Sequence, residues 1–97
     1  MSKIYRQGDI ILREIENAKE VVGKISEENK VADKLIMGGE SGKKHVLEVP
    51  VYRVDGAMVV ILEKAEKMIH EEHRAMEVPQ GVYTVGRVRD YLRDNFD

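Results

Sequence analysis

The chain has three histidines, and they fall in two short stretches whose residue types and spacing could do chemistry. His45 closes "GGESGKKH", a run of glycines, a hydroxyl residue and two lysines, while His70 and His73 bracket "HEEH". Neutral imidazole and carboxylate are borderline-to-hard donors. His45, His70 and His73 with Glu72, or with Glu71 or Glu40 in its place, could therefore hold zinc or iron, a water completing the shell. The i, i+3 spacing of His70 and His73 puts both on one face of a helix but on opposite faces of a regular strand. In an extended segment only a turn at Glu71-Glu72 brings them together. "HEEH" is not the zinc-peptidase pattern, which separates its histidines by four residues so that the rings stand one helical turn apart. A solvated charged turn accounts for the same residues, and His45 alone reads as a partly buried strand residue with a hydrogen bond.

The glycine stretch raises a second chemistry. A nucleotide P-loop needs Gly, four residues, then Gly-Lys-Ser/Thr ahead of a helix. Counting back from Gly42-Lys43, Met37 stands where the first glycine belongs, Lys44 replaces the hydroxyl, and a strand pattern follows. What survives is a looser anion nest of backbone amides with Gly42, Lys43 and Lys44. A third chemistry lies near the end, where Arg87, Arg89 and Arg93 cluster with Tyr83 and Tyr91. On a strand Arg87, Arg89, Tyr83 and Tyr91 share a face, and guanidinium groups beside rings can hold phosphates and stack bases of a nucleic acid. Asp90, Asp94 and Asp97 interleave with them, so ordinary ion pairing explains the same pattern.

Composition removes other classes. No cysteine is present, which excludes disulfides, thiolate nucleophiles and cysteine metal sites, and Ser2, Ser26 and Ser41 carry no local sign of activation. With 16 basic and 18 acidic residues the net charge is only -2, so no global field draws the chain to nucleic acid or a membrane. There is no apolar run long enough to span a bilayer and no signal-peptide core after Met1, which predicts a cytoplasmic protein without a membrane partner. Charged residues reach 35% while Gln and Asn are scarce, a bias that suggests a thermophilic, archaeal source. At 97 residues the chain reads as one domain, 1–97, small enough that a homodimer would add to its core.

The elements that must position these residues are mostly strands. "IYRQGDIILREI" predicts strand, Gly-Asp turn and strand; "EVVGKI" reads as a further β-branched segment, "SEENK" as an exposed turn, and "VADKLIMGG" as a strand. "HVLEVPVYRVDGAMVVILEK" gives two β-rich runs joined by Asp55-Gly56, a hairpin turn pair, with Pro50 marking an edge strand or a bulge. "EKAEKMIHEEHRAMEV" has helix-forming residues, with Ala65, Met68, Ile69 and Met76 at helical spacing. "PQGVYTVGRVRDYLRDNF" opens on a turn and continues as a strand through Val82, Tyr83, Val85 and Val88, with a short helical turn from Asp90. Val51, Val54, Val59, Ile61 and Leu62, with Met37, Met58, Met68 and Met76 as filler, make the candidate core.

In the order "RQGDIIL", "GESGKKH", "HEEH", "VPQGVYTVGRVRDY", the stretches from Arg6 to Tyr91 resemble a family of functionally uncharacterised proteins of bacteria, archaea and their viruses. In that family the middle loop commonly carries two histidines one residue apart after a Ser-Gly or Thr-Gly pair. Here His45 matches the second and Lys43 takes the place of the first, which removes one ligand from any metal site the resemblance implies. The resemblance also implies strand, turn and strand over Ala65 to Val78, against the propensity for helix, and that reading is adopted. The expectation is a small, mainly antiparallel β domain of six to eight short strands, a partly closed barrel or sandwich with at most a short helix. Its function reads as a non-enzymatic module that binds an unknown protein or small ligand. The alternatives are a zinc or iron protein, with metal-assisted hydrolysis as its chemistry, and a nucleic-acid binder.

Overall fold

Alternating apolar and polar residues form strands wherever one face can be buried, and most of this chain alternates. The computed structural model describes residues 3–38 and 42–88. In chain order these form β1 (Ile4–Gln7), β2 (Ile10–Glu14), a short helix α1 (Ala18–Lys24), a 3-10 turn (Glu27–Asn29), β3 (Lys30–Ala32), β4 (Leu35–Gly38) and β5 (Lys44–Leu47), followed by β6 (Val51–Val54), β7 (Ala57–Leu62), β8 (Glu66–His70), β9 (Met76–Val78) and β10 (Gly81–Arg87). Six strands make one sheet in the order β1-β2-β10-β7-β6-β3, and four make a second in the order β4-β5-β8-β9. Every pairing is antiparallel. The expected β-rich sandwich is present, and among the described residues no pairing closes the sheets into a barrel.

The core lies between the sheets. Ile10, Leu12, Val51, Val60, Leu62 and Tyr83 of the larger sheet meet Leu35, Leu47, Met68 and Val78 of the smaller one, each side chain contributing roughly 1.5–3 kcal/mol by leaving water. Tyr83 is fully buried and its hydroxyl donates to the Pro79 carbonyl at 2.8 Å, so the ring enters the core without an orphaned polar atom. Burial raises its phenol pKa. A second cluster on the far face of the larger sheet gathers Val54, Val59 and Val82 beneath Ile15, Ala18, Val21 and Ile25.

That second cluster corrects one expectation. "EVVGKI" is not a strand: its first residues continue α1, because Ala18, Val21 and Ile25 recur at helical spacing and seat one stripe on the sheet. Glu20 in the first turn and Lys24 in the last suit the helix dipole. Helix propensity fails in the opposite sense over Ala65 to Val78, where β8 and β9 pair as Glu66↔Val78, Lys67↔Glu77 and Met68↔Met76. Alternation wins there because it puts Met68 and Val78 in the core while Lys67 and Glu77 stay exposed.

The described residues form ten strands where six to eight were expected, because two runs that read as continuous each break where the chain leaves one sheet for the other. The first break is at Asp33-Lys34, between β3 and β4. The second is at Glu48–Pro50, where the Val49 N–H donates to the Leu47 carbonyl at 2.9 Å in a three-residue turn. Pro50 therefore marks a crossing and not an edge: β5 lies between β4 and β8, and β6 between β7 and β3. The Asp55-Gly56 hairpin is as read, with φ of 51° and 83°, the two positive angles that a tight turn matching strand twist requires. The helical turn expected from Asp90 lies outside the described residues. No helix among the described residues is long and apolar enough to cross a membrane.

Candidate functional site

Strand register brings the polar residues together. In the larger sheet Gln7 pairs with Ile10, and Ile10 with Arg87; in the smaller sheet Met37 pairs with His45, and His45 with His70. These two inward rows face each other at one end of the sandwich. Gly8, at φ 59°, turns the chain so that Asp9 stands beside Arg87, whose guanidinium donates to Asp9 Oδ2 at 3.0 Å. After β8 a turn over residues 71–73 returns the third imidazole to the same place. Ring centres lie 4.2 Å apart for His45 and His70, 4.4 Å for His70 and His73, and 5.9 Å for His45 and His73.

Hydrogen bonds assign His45 and His70 their tautomers. The Gln7 amide nitrogen donates to the Met68 carbonyl at 2.9 Å and the Arg74 carbonyl at 3.0 Å, using both of its protons. The Gln7 oxygen, 2.9 Å from His45 Nδ1, must then accept, so Nδ1 carries the proton and neutral His45 presents a bare Nε2. That nitrogen faces Asp9 Oδ1 at 3.5 Å. His70 is the reverse case: its Nδ1 accepts the backbone N–H groups of Glu72 and His73, at 3.0 and 3.2 Å, which leaves the proton on Nε2. His45 is 1% exposed and His70 6%. Burial lowers the His45 pKa, the neighbouring imidazole of His70 lowers it further, and the Asp9 carboxylate opposes both.

All three histidines of the candidate metal set therefore meet, but not as equivalent donors. His70 is occupied as the cap of its own turn. Among the described residues no three His, Asp or Glu side chains stand ready to hold one metal ion. Glu72 is exposed and reaches the cluster through its backbone N–H, not its carboxylate. Of the anion set, Gly42 has φ 83°, Lys43 pairs with Glu71 at 3.2 Å, and Lys44 is exposed on β5; residues 39–41 lie outside the described residues. Of the nucleic-acid set, Arg87 is engaged by Asp9, and Arg89 and Tyr91 lie outside the described residues. Tyr83, expected on the same face, is buried in the core, so its ring offers no stacking surface.

Sequence reading missed Gln7 and Asp9. "RQGD" registered as a turn and as part of the family resemblance but gave no site residue, although a carboxylate directly after a turn glycine was a signal that the turn presents it. What no spacing could give is the partner: the carbonyls that orient Gln7 belong to residues 68 and 74.

A family model described as a domain of unknown function, DUF8820, matches residues 6–88, a span that takes in every member of the cluster from Gln7 to Arg87. No curated protein and no solved structure matches the chain.

Proposed function

Since the chain belongs to the DUF8820 family, a domain of unknown function, membership brings no activity with it, and we propose from the geometry that it is a binding module whose ligand site is the polar cluster at the end of the sandwich. One observation carries the reading. Gln7 and Asp9, His45, His70 and His73, and Arg87 come from four separated stretches, the same four on which the family resemblance rests, and they meet between the sheets. Burying the His45 and His70 imidazoles and the Gln7 amide, beside a half-buried ion pair, costs stability that an apolar filling would not. Gln7, Asp9, His45, His70 and Arg87 are nonetheless each held by a hydrogen-bonding partner, as a recognition site requires, while His73 stands exposed on its turn.

A thermal-shift screen of the chain against divalent metal ions, inorganic phosphate and small carboxylates tests this. A ligand at about 100 times its Kd stabilises the folded state by about 2.7 kcal/mol, which raises the Tm of a domain this size by roughly 10–20 °C. The shift should vanish in an Asp9→Asn, His45→Asn double variant. A flat screen, or a shift that survives in the double variant, rejects the cluster as a ligand site.

A further inference from the structure

Resting on that reading, we infer that the ligand is a divalent transition-metal ion of the zinc class, held by His45 Nε2, Asp9 Oδ1 and His73, with His70 as a positioning residue and not a ligand. The starting point is an electrostatic misfit. With its proton on Nδ1, His45 turns a bare nitrogen lone pair toward a carboxylate oxygen 3.5 Å away. Two acceptors face each other, and a cation between them relieves the repulsion.

The spacing suits such an ion. Donors about 2.1 Å from a tetrahedral zinc, about 109° apart, are separated by roughly 3.4 Å, against the 3.5 Å found. Two imidazoles bound to one such ion have ring centres roughly 5 to 6 Å apart; His45 and His73 stand at 5.9 Å with planes 15° from parallel. Both rings converge over Gly8: a side chain there would place its Cβ 2.7 Å from His73 Nε2 and 3.2 Å from His45 Cε1. The missing side chain leaves that space open.

The supporting hydrogen bonds match those that orient metal ligands. Gln7 accepts from His45 Nδ1–H and so fixes the tautomer that bares Nε2. Arg87 holds Asp9 by Oδ2, leaving Oδ1 to coordinate. His70, by accepting the N–H groups of Glu72 and His73, shapes the turn that carries His73 round. His73 is the donor that must adjust, since no three donors are pre-set; it is exposed and on a turn, and a rotamer change supplies the movement. Two nitrogens and one oxygen favour zinc, cobalt, nickel or ferrous iron over magnesium or calcium. A fourth position stays open to water.

The test is titration of chelator-treated protein with Co2+ and Zn2+ by visible absorption and calorimetry. The expected result is one ion per chain, tetrahedral cobalt bands, and a loss of at least about tenfold in affinity for both Asp9→Asn and His73→Ala. His73 sits on an exposed turn, so its variant stays folded, as far-UV circular dichroism will check. His70→Gln should keep the tetrahedral bands while weakening binding. Absence of Co2+ and Zn2+ binding, or affinities unchanged in both Asp9→Asn and His73→Ala, overturns the inference. If phosphate raises the Tm and the metals do not, the cluster stands as a ligand site and the metal assignment falls.

Discussion

Replacing Gln7 with leucine tests the arrangement at its root. The side chain is 4% exposed and makes three hydrogen bonds that tie β1 of one sheet to the strands and turn of the other. Leucine fills the same volume but can make none of them. The Arg74 carbonyl, on an exposed stretch, regains water. The Met68 carbonyl and His45 Nδ1–H lose a buried partner, at about 1–3 kcal/mol each. Burial of the leucine returns about 1.5 kcal/mol. The expected net loss is therefore about 2–3 kcal/mol, or roughly 10–20 °C in Tm. Urea denaturation at pH 7.5 with chelator present should show a lower midpoint and an unchanged m-value. Nitrogen NMR of the wild type should find the His45 proton on Nδ1, and the variant should lose that preference. A loss below about 0.5 kcal/mol, the size of an ordinary surface change, would mean that Gln7 does not bridge the sheets. The bare Nε2 deduced from it would then have no basis.

Other perturbations probe the same end of the molecule and the turn at the other. Gly8→Ala puts a side chain at φ 59° and against His73; the expected stability loss is about 1–2 kcal/mol, with Zn2+ affinity by calorimetry falling more than stability. In metal-free protein, His45 has a lowered pKa in the folded state, so below its unfolded value of about 6.5 the unfolded chain binds the extra proton. Its contribution to stability is complete above that pH and erodes as pH falls. The midpoint of urea unfolding should therefore drop more steeply from pH 7.5 to 5 in wild type than in His45→Asn, and parallel profiles would contradict this. Gly81→Ala would place a Cβ 3.2 Å from the Tyr83 hydroxyl, at φ 155°; because that ring is fully buried and bonded to Pro79 it cannot yield, and about 2–3 kcal/mol should be lost in denaturation.

The features legible in the sequence are those fixed by neighbours along the chain. Asp55-Gly56 needs positive φ angles whatever surrounds it, and the alternation in "VVIL" selects a strand by itself. "EVVGKI" misled because β-branched residues prefer strands only when a pleated surface receives them, whereas Ala18, Val21 and Ile25 found a flat sheet face and coiled to reach it. Pro50 announced an interruption correctly but could not say that the chain changes sheets there. The three histidines were recognisable as a set, and the turn at Glu71-Glu72 was recognised as what would bring His70 and His73 together. Their inequality was not legible, because a ring's role depends on which nitrogen is already bonded. For His45 that is decided by Gln7, and for His70 by backbone N–H groups of its own turn.

The sheet order carries a consequence for how the chain acquires this shape. β2, near the start of the described chain, finds a central partner in β10, near its end, and β10 must also take its place beside β7. The larger sheet is therefore completed only when that late strand inserts between β2 and β7. Until then β2 and β7 each expose an edge of unpaired backbone N–H and C=O groups. Because the chain also passes between the sheets at residues 33–34, 48–50, 63–65 and 79–80, neither sheet has a continuous run of its own that could mature first. Contacts of such long sequence separation place folding toward the slow, millisecond-to-second end of the range. The unfinished edges are the surfaces on which two partly made molecules would pair. A single late strand thus governs both the rate of folding and the interval in which the protein is open to aggregation.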